Sequence, residues 1–133
     1  MQMFELSAIA ALIALAVFVF VYTGRNSAAV KSAWMFPAIL SAAFLVFSLI
    51  TLANEGFGPL WLNHTSNYWG NQVWFDLLIG FGISWVFLVT EGRRLGMNAW
   101  PWIIALGATG NIGLLAMLAR ILYLKEHRTI AGT

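Results

Sequence analysis

Trp74–Arg94 reads WFDLLIGFGISWVFLVTEGRR. Asp76 is its single charge before Glu91, Arg93 and Arg94 close it. A helix needs about 20 mostly apolar residues to cross hydrocarbon, and this stretch has that length and an end suited to headgroups. Composition agrees. Of 133 residues, 61% are hydrophobic and 9% charged, against roughly 45–50% apolar and about 25% charged in soluble domains. So little polar surface cannot cover a water-soluble core, so lipid is the expected solvent for most side chains.

Working outward, four apolar runs have spanning length, at 4–22, 33–53, 72–90 and 100–124. Backbone groups in hydrocarbon must be satisfied within the segment, so each run is expected to be a helix. Gly24, Asn26 and Ser27 mark the first turn, Gly56, Gly58 and Pro59 the second, and Gly92 and Gly96 the third. The expectation is all-α: a four-transmembrane-helix bundle forming one integral membrane domain over 1–133, with both termini on the same side. The opening MQMFELSAIAALIALAVFVFVYTG lacks a basic leader and carries Glu5, so it reads as a retained span rather than a cleaved signal.

Arg25, Lys31, Arg93 and Arg94 fall in the first and third loops, and Lys125 and Arg128 at the other side, with Arg120 inside the last run. Basic residues favour the cytoplasmic side, which orients the short loops inward and the termini outward. Seven basic residues at span ends and a net charge of +2 do not form a phosphate-tracking groove, so nucleic acid is not an expected partner. There is no cysteine, which excludes disulfides, thiolate metal sites and thiol catalysis.

Small residues recur at close-packing intervals: Ser7 with Ala11, Ala10 with Ala14, Gly80 with Ser84, and Gly107, Gly110 and Gly113. Such stripes let helix backbones approach in lipid, although membrane helices are rich in glycine generally. TGRNSAAVKSAWMFPAIL and TEGRRLGMNAWPWIIAL share Gly-Arg at one helix end and Ala-Trp with a nearby proline at the next start. This fits either a duplicated hairpin or ordinary interfacial composition. The loop NEGFGPLWLNHTSNYWGN at 54–71 has no Lys or Arg but holds Trp61, His64 and Trp69. Its amphipathic rings suit the headgroup level, where it is expected to cap one end of the bundle.

Depth along the expected spans brings Glu5, Asp76, Asn111 and Arg120 toward one intramembrane polar cluster. Asp76 would be an acid or base with Arg120 as its counter-charge, in a ligand or proton site. A structural ion pair or a snorkelling arginine fits the same residues. Asn111 suits a hydrogen bond across the bundle, because an unpaired amide in hydrocarbon is costly. Glu91, Arg93 and Arg94 read as a cytoplasmic-turn anchor or as a dock for lipid phosphate or an acidic partner. His64 has only His127 as a companion histidine, and no metal site, nucleophile motif or phosphate loop is present. No catalytic residue and no cofactor can be assigned.

FDLLIG, the EGRRLGM turn and the closing LYLKEHR resemble a family of small bacterial integral membrane proteins of undefined function. FDLLIG and GATGNIGLLAMLARILYL are more distantly similar to the neoxanthin-synthase-like membrane family of plants and cyanobacteria. The resemblance covers the C-terminal half and implies the bacterial inner (cytoplasmic) membrane, with a lipid-soluble pigment or isoprenoid as a partner. Two functional classes remain. The small polar area, the small-residue packing faces, the seven tryptophans and the lack of a catalytic constellation point to a non-catalytic accessory or assembly subunit of a larger membrane complex, whereas the distant resemblance and the Asp76–Arg120 cluster imply a membrane enzyme or binding protein acting on an isoprenoid or carotenoid. The first implies membrane lipids and a membrane-protein partner or homo-oligomer as neighbours. A transporter ranks third, because the sequence displays no broken helix pair.

Overall fold

The computed structural model describes residues 3–24 and 32–131, so Arg25, Asn26, Ser27 and Lys31 lie outside the described residues. Among those described there are six helices and no strand: α1 Met3–Gly24, α2 Met35–Glu55, α3 Gly58–Thr65, α4 Tyr68–Arg94, α5 Trp100–Thr109 and α6 Asn111–Ala131. The chain divides into two compact units, Met1–Val30 and Lys31–Thr133. The first contains α1, an apolar helix about 33 Å long by its rise. The second contains the other five.

Local chemistry sets the helix ends. Pro37 lies in the first turn of α2 and Pro59 and Pro101 open α3 and α5, where a missing N–H costs nothing. Asn67 starts α4 from an extended backbone, its side chain accepting the Gly70 N–H at 2.8 Å, a cap of the preferred kind. At the far end Gly96 turns left-handed at φ +73°. The Met97 N–H then donates to Gly92 O and the Gly96 N–H to Arg93 O, both at 2.9 Å, the paired bonds of a Schellman stop.

The run expected as one span at 100–124 is two helices. Gly110 takes φ +60° and its N–H closes α5 on Leu106 O at 2.7 Å. The chain then doubles back so closely that a Cβ on Gly113 would lie 2.7 Å from the Ala105 carbonyl carbon and 2.8 Å from its oxygen. Only glycine fits there. A Cβ on Gly110 would meet the Phe81 ring at 3.0 Å, which puts the fold-back beside the midpoint of α4. Hydropathy carries the apolar character across residues 100–124 but says nothing of backbone handedness, and the break is therefore invisible to a length criterion. The broken helix that the sequence did not display lies here.

α6 is the hub: α2, α4 and α5 each pack on it, while α3 packs on α4. It runs parallel to α4, from Phe81 beside Gly110 to Lys125 beside Glu91. It is antiparallel to α2, with Ser41 bonded to Ile112 and Ser32 to Glu126. The core lies between these helices: Val89, Met117 and Ile121, with Trp85, Leu88, Met97 and Trp102 against them. Met117 is 1% exposed. α2 and α4 are long and apolar enough to cross a membrane, yet only 11% of the apolar window of α2 and none of that of α4 is buried. They are therefore not the enclosed core helices of a water-soluble domain, whose apolar faces would be covered.

Glycine substitutions separate packing from composition. Gly113→Ala and Gly110→Ala are each expected to destabilise the helical unit by about 1–3 kcal/mol, through overpacking and backbone strain respectively. Gly107, with open space around its Cβ position, is expected to accept alanine without loss. Denaturant melts followed by circular dichroism in detergent check this; equal effects at Gly107 and Gly113 would remove the fold-back as the cause.

Candidate functional site

The Arg94 end of α4 collects most of the polar chemistry. Glu91, one turn from the helix end, accepts Arg94 through Oε1 and Lys125 through Oε2, both at 2.7 Å. Arg94 is its i+3 neighbour on α4, and Lys125 reaches it because α6 arrives at the same end. Arg128 donates to Leu95 O at 2.9 Å, covering a carbonyl that α4 leaves open. On the other flank the Glu126 carboxylate accepts the Ser32 N–H through both oxygens, at 3.0 and 3.1 Å. Ser32 sits at φ +62°, a left-handed conformation unusual outside glycine, and this carboxylate fork holds it. The Trp34 and Tyr123 rings meet edge to face at 5.5 Å, and His127 stacks on Tyr123 at 3.9 Å.

Glu91 and Arg94 of the expected anchor are thus joined, with Lys125 as an added partner from α6. Arg93, on the exposed side of α4, has no carboxylate partner among the described residues. Within the second unit, Asp76 and Arg120 of the expected intramembrane cluster are not brought together. Asp76 precedes Phe81 on α4, toward the Tyr68 end, whereas Arg120 follows Gly110 on α6 toward the Arg94 end. At about 1.5 Å of rise per residue the two lie about 20 Å apart along the helices. The depth match failed because it assumed that the last run crosses in full. Arg120 instead holds its guanidinium 5.6 Å from the Tyr123 ring centre, a cation–π arrangement. Glu5 belongs to the separately described first unit.

Asn111 opens α6 at the fold-back. It borders a shallow apolar groove of about 380 Å³ together with Leu40, Ala43, Phe44 and Leu115, and its amide bonds to no other described residue. The bond between helices at this level comes from Ser41 instead, whose buried hydroxyl donates to Ile112 O at 2.9 Å. Nothing in the sequence marks Ser41 for this role, since a serine inside an apolar run has no signature distinguishing it from filler.

At the Tyr68 end the aromatic loop is largely helix α3. Its approach to α4 is so close that a Cβ on Gly70 would overlap the Asn63 carbonyl oxygen. Trp74 receives Trp61 edge-on at 6.5 Å and His64 at 5.2 Å. The His64 Nδ1–H donates to Leu60 O at 2.6 Å, which fixes the ring on its own helix. Trp69 stays outside this group and is 75% exposed. No cluster of three or more His, Asp or Glu able to hold a metal occurs among the described residues.

Separation of Asp76 and Arg120 has a direct energetic consequence. Asp76→Asn and Arg120→Gln are expected to change stability additively, within about 0.5 kcal/mol, as distant sites do. A double-mutant cycle in detergent measures it, and a larger coupling would restore the pair. No protein-family model, curated protein or solved structure matches this chain.

Proposed function

We propose that this chain is an integral membrane protein that serves, without catalysis of its own, as an accessory or assembly subunit of a larger membrane complex. One observation carries the reading. The second unit gathers its packing on α6, while α2 and α4 turn large apolar faces outward, including Ile39, Val46, Phe47 and Ile50 on α2 and Phe75, Ile79, Val86 and Phe87 on α4. Faces of this extent require lipid or the helices of a partner. The seven tryptophans suit both surroundings, as anchors at headgroups and as anchors at interfaces.

In a bilayer, α2 and α4 span, whereas α5 and α6 form a re-entrant hairpin whose turn at Gly110 reaches the middle and returns. Backbone that leaves helical geometry at such depth is tolerated where protein covers it, and Phe81 and Ala105 lie against this turn. The hairpin carries Arg120, Lys125 and Arg128 to the end that already holds Arg93 and Arg94. The positive-inside rule then points that whole end to the cytoplasm. A bacterial inner membrane, suggested by the resemblance of the EGRRLGM turn, fits this orientation.

A second reading has its own observation. The groove beside Asn111 is apolar with one exposed side-chain amide among its lining residues, a single polar group that could orient a lipid-soluble molecule. An isoprenoid or carotenoid is the ligand class for it.

Absence of native cysteine makes single-cysteine labelling in sealed vesicles a clean test of topology. Asn98→Cys and His127→Cys are expected to label from one side and Asn63→Cys from the other. Labelling of position 127 together with 63 would mean that the last run crosses, and would overturn the hairpin reading. For function, purification from the native host in mild detergent is expected to retain a protein partner in fixed ratio. A partner-free protein carrying a polyene, lost in Asn111→Leu, would instead select the ligand reading.

A further inference from the structure

We propose that the Arg94 end of the second unit is a binding surface for the phosphate headgroups of anionic phospholipids. The proposal rests on the membrane reading above. Its basis is a charge excess that the fold creates and does not neutralise. The fold-back at Gly110 brings Arg93, Arg94, Arg120, Lys125 and Arg128 to one end. Among the described residues that end holds two acids, and both are engaged within the protein. Glu91 binds Arg94 and Lys125, and Glu126 accepts the Ser32 N–H. Arg93, Arg120 and Arg128 have no carboxylate partner among the described residues, and all three are exposed.

Exposed guanidinium groups fit phosphate oxygens through paired N–H donors, which an ammonium cannot reproduce. Arg120 is positioned for it. Its guanidinium lies 5.6 Å from the Tyr123 ring centre, a cation–π contact that engages its charge without a hydrogen bond. Tyr123 in turn is braced by Trp34 and His127. Rings of this type settle at headgroup level, so the cations stand where lipid phosphates lie. The other end has the opposite character. Glu55 and Asp76 lie toward it, and no Lys or Arg occurs there among the described residues, so attraction to anionic lipid is confined to one leaflet.

The test uses the full chain reconstituted into vesicles of equimolar phosphatidylcholine and phosphatidylglycerol. After gentle detergent extraction, lipid retained on the protein is quantified by mass spectrometry. Phosphatidylglycerol is expected to be enriched about three- to tenfold, as a few juxtamembrane cations would produce, and the enrichment is expected to shrink at high salt. Arg93→Gln with Arg120→Gln should bring the ratio close to one, while Arg93→Lys with Arg120→Lys should retain only part of it. Glu55→Gln with Asp76→Asn should leave it unchanged. Equal retention of both lipids by the unaltered protein overturns the proposal, and that measurement stands even where a variant fails to fold. Displacement by millimolar inorganic phosphate would also overturn it, in favour of a soluble-phosphate site. Failure of the protein to float with vesicles at all would defeat the membrane reading itself, whereas flotation without enrichment defeats only this proposal.

Discussion

The close approach of Gly113 to Ala105 is the contact on which the second unit depends. Once the turn at Gly110 has reversed the chain, this approach lets α5 and α6 lie backbone against backbone and holds α6 on its return path. That direction decides which residues meet. Lys125 reaches Glu91, Arg128 reaches Leu95, and Glu126 reaches Ser32 because α6 returns to the Arg94 end. A side chain at residue 113 would force the two backbones apart by more than a neighbouring side chain could absorb, since the obstructing atoms are themselves main chain.

Much of this was legible in the sequence, for identifiable reasons. The expected spans at 33–53 and 72–90 coincide with most of α2 and α4 because apolar length marks them, and Gly56 and Gly96 mark where they stop. The first turn of α4 was not visible, because its Asn67 cap lies in a polar aromatic stretch that reads as loop. The glycines of the last run were visible as a packing stripe, but glycine serves two purposes. Gly107 occupies open space, Gly113 admits a neighbouring backbone, and Gly110 supplies a left-handed turn. Spacing alone does not separate them, because the difference lies in what stands opposite each residue. The site suffered from the same gap. Placing Asp76 level with Arg120 used a sound rise per residue on a wrong direction of travel, so an error of one turn in topology became about 20 Å in space.

The polar end also shows how few charges an apolar protein needs to define an orientation. Glu91 serves two cations from two helices, and exposed pairs of this kind add little stability individually. Their value is geometric. They fix the register of α6 against α4 while Trp34, Tyr123 and His127 fix it against α2, leaving Arg93 and Arg120 exposed. Packing at Met117 holds the helices together, and the charges determine how far each one slides.

Glu126 and Ser32 are separated by 94 positions in the chain, and this spacing bears on how the protein is made. α6 comes later than all of the helices it holds. During synthesis α2 and α4 must persist as separate apolar helices, each with its docking face unfilled, until the hub emerges and collects them. Contacts of such long sequence separation form slowly, so the interval before α6 arrives is the stage most open to capture by other helices. A unit organised around α6 is, in this sense, left open to partners until that helix has emerged.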